Sequence, residues 1–172
     1  FVHPFMGDDG WVFAYGEDDK HEEHYPDALF GAPFLREIYL KADPVFNGRV
    51  TVPVLWDKKE ETIVNNESRE IIEMLNSAFD GLATKSIDLF PTASRETIDQ
   101  AIDAIYQPIN NGVYRCGLAG TQEAYDEAFD QLFGALDHWE QVLGQQRYLA
   151  GPQLTAADLC LFATLYRFDA VY

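Results

Sequence analysis

RVTVPVLWDKKEETIVNNES, residues 49–68, decides how this chain is read. It predicts a strand interrupted by Pro53, a charged connection from Trp56 to Glu61, a second strand over 62–64, and a polar run, Asn65-Asn66-Glu67-Ser68, that opens a helix. Proline has no amide hydrogen and would break a central strand, so Pro53 belongs at a sheet edge or a strand entry. A proline in that position is also the best candidate for a cis peptide bond. Val52 before it would then turn its N–H and C=O outward, free to pair with a bound peptide. Glu67 and Ser68 stand where a helix begins, and unpaired amides with a positive dipole end suit a carboxylate there. The segment thus predicts a backbone-pairing edge beside a carboxylate-binding helix start.

Outward from this segment, residues 1–28 read as loop, with Phe5, Trp11, Phe13 and Tyr15 as isolated anchors. Apolar residues at 34, 35, 38 and 39 predict a helix over 29–42, stopped before Pro44. Ile71, Ile72, Leu75 and Phe79 share one face of a helix over 67–79. Beyond a linker the period is helical throughout, with helices expected over 94–116, 122–143 and 156–169. In the second, Tyr125, Phe129, Leu132, Phe133, Leu136 and Trp139 form an apolar stripe. The expected organisation is an incomplete α/β domain over 1–81, a linker over 82–93 and an all-α domain over 94–172.

At 172 residues and 47% hydrophobic content, the chain can bury a core in one compact unit or two small ones. Twelve Lys and Arg against 29 Asp and Glu give a formal charge of -17, the wrong sign for nucleic acid or an anionic membrane. The acids are dispersed, which reads either as a solvated surface or as one suited to high salt, where screening relaxes self-repulsion. No signal peptide and no apolar run near the length of a membrane span is evident, so neither secretion nor a membrane span is indicated, and the cysteine usage makes a cytoplasmic protein the expectation. Its two cysteines, Cys116 and Cys160, form no CxxC pair and fit a reducing compartment. Cys160 lies in Leu159-Cys160-Leu161-Phe162 and reads as core. Cys116 reads as non-catalytic: Arg115 would lower its pKa, but a helix C-terminus would raise it. No His stands at metal-ligand spacing, and no metal centre is expected. Thr155 and Asp158 predict a capping box at the start of the last long helix, a structural device.

Several strings carry a closer likeness: GRVTVPVLWDKK at 48–59, TIVNNES at 62–68, NNGVY at 110–114, TQEAY at 121–125, RYLAG at 147–151, LTAAD at 154–158 and RFDAVY at 167–172. Together they resemble the glutathionyl-hydroquinone reductases, the Xi class of glutathione transferases. The likeness runs from about Pro4 to Tyr172. It implies a partial thioredoxin-like domain followed by a helical glutathione-transferase C-terminal domain. It also implies glutathione as co-substrate, aromatic quinol conjugates as substrates, and a homodimer. The family's Cys-Pro-Trp-Ala nucleophile motif does not occur in the chain, which therefore reads as a fragment that would be inactive alone.

On this resemblance, Ser68 would hold the γ-glutamyl carboxylate, Glu67 the α-ammonium and Val52 the cysteinyl amides. Trp11 and Arg49 match family positions that contact glutathione, with Arg49 pairing a carboxylate. Tyr114 matches a tyrosine facing the hydroquinone, where a phenol can hydrogen-bond the substrate oxygen and assist proton transfer. Tyr106, Tyr166, Phe168 and Tyr172 are candidates to line the aromatic pocket. Two other readings stay open: an omega-like thiol transferase or dehydroascorbate reductase, and a non-catalytic interaction module. Retention of Arg49 with Glu67 and Ser68 argues against the module.

Overall fold

In a computed structural model, residues 2, 6–8, 10–13, 25–84 and 87–172 are described. The expected anchors Phe5 and Tyr15 and part of the linker, Lys85-Ser86, lie outside them. The chain divides into two compact units, Phe1–Ile72 and Glu73–Tyr172.

In the first unit, helix α1 spans Leu35–Ala42. It starts later than the pattern over 29–42 suggested because Asp27 draws the preceding residues into a turn. One carboxylate oxygen accepts the amide of Leu29, and the other accepts those of Phe30 and Ala32. The buried α1 residues Leu35, Ile38 and Tyr39, with Ala32, form a core on which Val2, Trp11, Phe13, Phe46, Val50, Val54, Trp56 and Ile63 pack.

Strand β1, Leu55–Asp57, pairs antiparallel with β2, Thr62–Asn65, around a register irregularity at Leu55/Trp56. The expectation of a strand on both sides of Pro53 is corrected, because pairing begins only at Leu55. Trp56 and Asp57, expected in the connection, belong to the strand. Asp57 Oδ1 instead organises the turn by accepting the amides of Lys59 (2.7 Å) and Glu60 (2.9 Å). Helix α2, Ser68–Ser77, begins in this unit and is shorter at both ends than 67–79.

The second unit is helical. Arg95 ties its entry together, meeting Glu73 and Asp99 while its guanidinium lies over the Phe90 ring. The single helix expected over 94–116 is α3, Arg95–Ile105, then a π-turn at Tyr106–Asn110, then α4, Gly112–Gly117. Pro108 is the physical cause: without an N–H it cannot continue the i→i−4 ladder, and the chain widens around it. Helix α5 covers the expected 122–143 as Gln122–Leu143, with Thr121 Oγ1 accepting the amide of Ala124.

The pattern over 156–169 resolves into α6, Ala156–Leu165, and a last turn α7, Phe168–Val171. Ile98, Ile105, Ile109 and Thr155 are fully buried among these helices. The capping box of α6 forms as expected. Asp158 Oδ2 accepts the Thr155 amide (2.8 Å) and hydroxyl (3.0 Å), and Oδ1 accepts the amide of Leu149 (2.8 Å). No helix among the described residues is long and apolar enough to cross a membrane.

Candidate functional site

Three of the singled-out residues cluster along the segment that decided the fold. The Val52–Pro53 peptide is cis. Val52 is exposed, and its N–H and C=O make no hydrogen bond with a described residue. At the start of α2, the Glu67 carbonyl accepts the amide of Ile71, and the Glu67 amide is taken by Asn65 Oδ1 at 2.7 Å. Asn65 Nδ2 donates to Glu70, which closes the turn from the other side. The amide and hydroxyl of Ser68 make no hydrogen bond with a described residue, and both Glu67 and Ser68 are exposed. A helix start with an open amide, an open hydroxyl and an adjacent carboxylate can hold an α-amino acid head group at both of its charges.

The two sides of this arrangement are joined from beneath by Tyr39, which is 4% exposed. Its phenol donates to the carbonyl of Thr51 (2.9 Å) and accepts the amide of Thr51 (3.3 Å). Asn66 Nδ2 donates to the Tyr39 oxygen (3.2 Å) and to Thr51 Oγ1 (2.8 Å). Thr51 immediately precedes Val52, and Asn66 immediately precedes Glu67. Sequence reasoning missed all three residues. The doubled Asn65-Asn66 was their one visible signal, since Tyr39 reads only as the apolar face of a helix.

Trp11 and Arg49 stand differently. Trp11 is half-buried against the α1 core, and its carbonyl accepts the Leu35 amide at 2.9 Å, so it anchors the entry to α1. Arg49 is exposed and makes no ion pair with a described residue. A Cβ on Gly48 would lie 2.9 Å from Phe46 Cζ, in the ring that packs at 4.9 Å on Tyr39. A side chain at position 48 would therefore press on the ring that backs Tyr39.

In the helical unit Tyr114 lies on α4 beside a groove of about 440 Å³, lined by Gln107, Asn111, Arg115, Leu118 and Glu127 with Tyr114 itself. Its hydroxyl is 2.9 Å from that of Tyr172, and the rings meet edge to face at 5.2 Å. Arg167 donates to the Tyr172 oxygen and lies over its ring. Arg167 can only donate, so the Tyr172 proton stays available, and either hydroxyl of the Tyr114–Tyr172 pair can be the donor. Burial first, then the bond to Tyr114, push the Tyr172 phenol up to about 12, with Arg167 opposing. Tyr106 and Tyr166 are exposed, while Phe168 meets Phe133 at 6.2 Å. Burial pushes the Cys116 thiol up, with Arg115 opposing. Among the described residues no group of three His, Cys, Asp or Glu could hold a metal.

Comparison with known proteins gives the family. The glutathione S-transferase N-terminal domain model matches residues 11–78, and the C-terminal domain model matches 122–172. The chain is 53% identical over 171 residues to the glutathionyl-hydroquinone reductase YqjG of Escherichia coli K12, covering 99% of this chain and 51% of that protein. The glutathione-bound structure of YqjG superposes with a TM-score of 0.91, covering 99% of this chain and 54% of that one. The Xi-class transferase structure from Natrialba magadii gives a TM-score of 0.90 at 53% identity, covering 99% and 52%. The chain spans about half the length of the relatives it matches.

Proposed function

The chain belongs to the Xi class of the glutathione S-transferase family, and from that premise we propose that it carries the glutathione cradle and quinol-facing phenol of a glutathionyl-hydroquinone reductase. The observation that carries this reading is the open start of α2 beside the backbone of Val52, which makes no hydrogen bond with a described residue. Ser68 receives the γ-glutamyl carboxylate on its amide and hydroxyl, and Glu67 receives the α-ammonium. Val52 pairs with the cysteinyl N–H and C=O. Arg49 reaches a glutathione carboxylate, and Trp11 forms a wall of the site.

The reaction balances in two steps, a reductive carbon–sulfur cleavage and a thiol–disulfide exchange. A cysteine thiolate, which this chain does not supply, attacks the sulfur of the conjugate. The carbon–sulfur bond breaks, and the quinol carbon keeps the electron pair and takes a proton. The attacking sulfur is left in a mixed disulfide with glutathione. A second glutathione thiolate then attacks the glutathione sulfur of that disulfide and displaces the cysteine thiolate, giving oxidised glutathione and the free cysteine. Tyr114 donates its O–H to the substrate oxygen while charge develops on the quinol, with the Tyr172 hydroxyl beside it able to donate to the Tyr114 oxygen in turn. The protein acts in the cytoplasm as a homodimer.

Calorimetric titration of reduced glutathione into the chain tests the cradle. Saturable binding that Ser68→Ala weakens about tenfold is expected, since a charge-assisted bond is worth about that factor. Absence of binding to the folded chain overturns the reading. With a glutathionyl-hydroquinone the chain alone should show no turnover, and turnover matching that of YqjG would contradict the assignment of the nucleophile outside it.

A further inference from the structure

We propose that Tyr39 is a positioning residue for glutathione, a buried pin that holds the Val52 edge in register with the Glu67–Ser68 helix start. The inference rests on the glutathione reading of that site and adds to it the means by which its halves act together. Val52 lies ahead of β1, which begins only at Leu55, and among the described residues no strand partner fixes it. In place of a ladder, the Tyr39 phenol takes both polar groups of the Thr51 backbone. The same oxygen and Thr51 Oγ1 share the side-chain amide of Asn66. A single buried hydroxyl therefore links the residue before the edge to the residue before the helix start.

A ligand that spans both halves gains from their being held at the right separation, because the second contact is then made without a further ordering cost. A ligand that reaches one half gains nothing from the pin. Glutathione spans both, whereas free L-glutamate presents the amino acid head group alone. The phenol is held by packing against Phe46 as well as by hydrogen bonds, so Tyr39→Phe removes the hydroxyl and keeps the ring.

The test measures glutathione and L-glutamate binding to the 172-residue chain and to Tyr39→Phe by NMR titration, with thermal unfolding to verify that the variant is folded. Glutathione affinity should fall about tenfold while glutamate affinity stays within about twofold. An unchanged glutathione affinity in the folded variant overturns the pin and leaves the binding site standing. Equal losses for both ligands also overturn it, since that is general damage. Failure of the unsubstituted chain to bind glutathione removes the functional reading and the pin with it. Asn66→Ala cuts the link while leaving the phenol in place, and carries the same test with the same expected split should Tyr39→Phe not fold.

Discussion

Two helices of this molecule begin with a hydroxyl residue and a nearby acid, and they begin in opposite ways. At α6 the pair is closed: Thr155 is 2% exposed, and the Asp158 carboxylate accepts three bonds. At α2 the pair is open, with Glu67 and Ser68 exposed and the Ser68 amide and hydroxyl making no hydrogen bond with a described residue. The same residue chemistry serves cohesion where the acid turns inward onto its own backbone, and is left open to a ligand where it does not. Three positions separate Thr155 from Asp158, which allows the acid to reach back; Glu67 precedes Ser68 directly and cannot.

Substitutions that exchange stability for binding sharpen this contrast. The largest effect is expected at Asp158→Ala, which leaves the amides of Thr155 and Leu149 and the Thr155 hydroxyl without their acceptor. A loss of about 3 kcal/mol in urea unfolding is expected, with glutathione affinity unchanged while the chain is folded. Next comes Thr155→Val, which keeps the volume and loses the hydroxyl, at about 1 kcal/mol. Ser68→Ala should reverse the pattern, with stability within about 0.5 kcal/mol of the parent and the tenfold loss appearing in glutathione affinity. A Ser68→Ala variant that unfolds as readily as Asp158→Ala would erase the distinction between the two helix starts.

Smaller effects follow from the titrating groups. The Cys116 thiol, pushed up by burial, should react with iodoacetamide at neutral pH more slowly than free cysteine, and Arg115→Ala should slow it further. Asp57 is held below the usual carboxylate range by the Glu60 and Lys59 amides. Its folded pKa is depressed, so its contribution is present above the unfolded value and is lost as pH falls through the folded one. Protection factors of the Lys59 and Glu60 amides, taken relative to intrinsic exchange at each pH, should therefore fall on acidification below about pH 4.

Much of this was legible from residues alone where one local rule governed. Helix α5 follows its apolar period from the Thr121 cap onward, and the Thr155–Asp158 box and the special place of Pro53 follow from backbone chemistry. The misread boundaries have equally local causes: Pro108 widens a helix that the apolar period carries straight through it, and Asp27 delays α1. The joining of the two halves of the candidate site was not legible. Tyr39, Thr51 and Asn66 lie 12 and 15 positions apart in the chain, and only folding brings one hydroxyl between them. Likewise Tyr114 and Tyr172, 58 positions apart, meet through helix packing that no spacing rule announces.

The most direct test of the open helix start is an amide NMR titration of the labelled chain with reduced glutathione. The Val52 and Ser68 resonances should move together and saturate at one ligand concentration. Resonances that stay still, or shifts confined to the helical unit, would contradict the account.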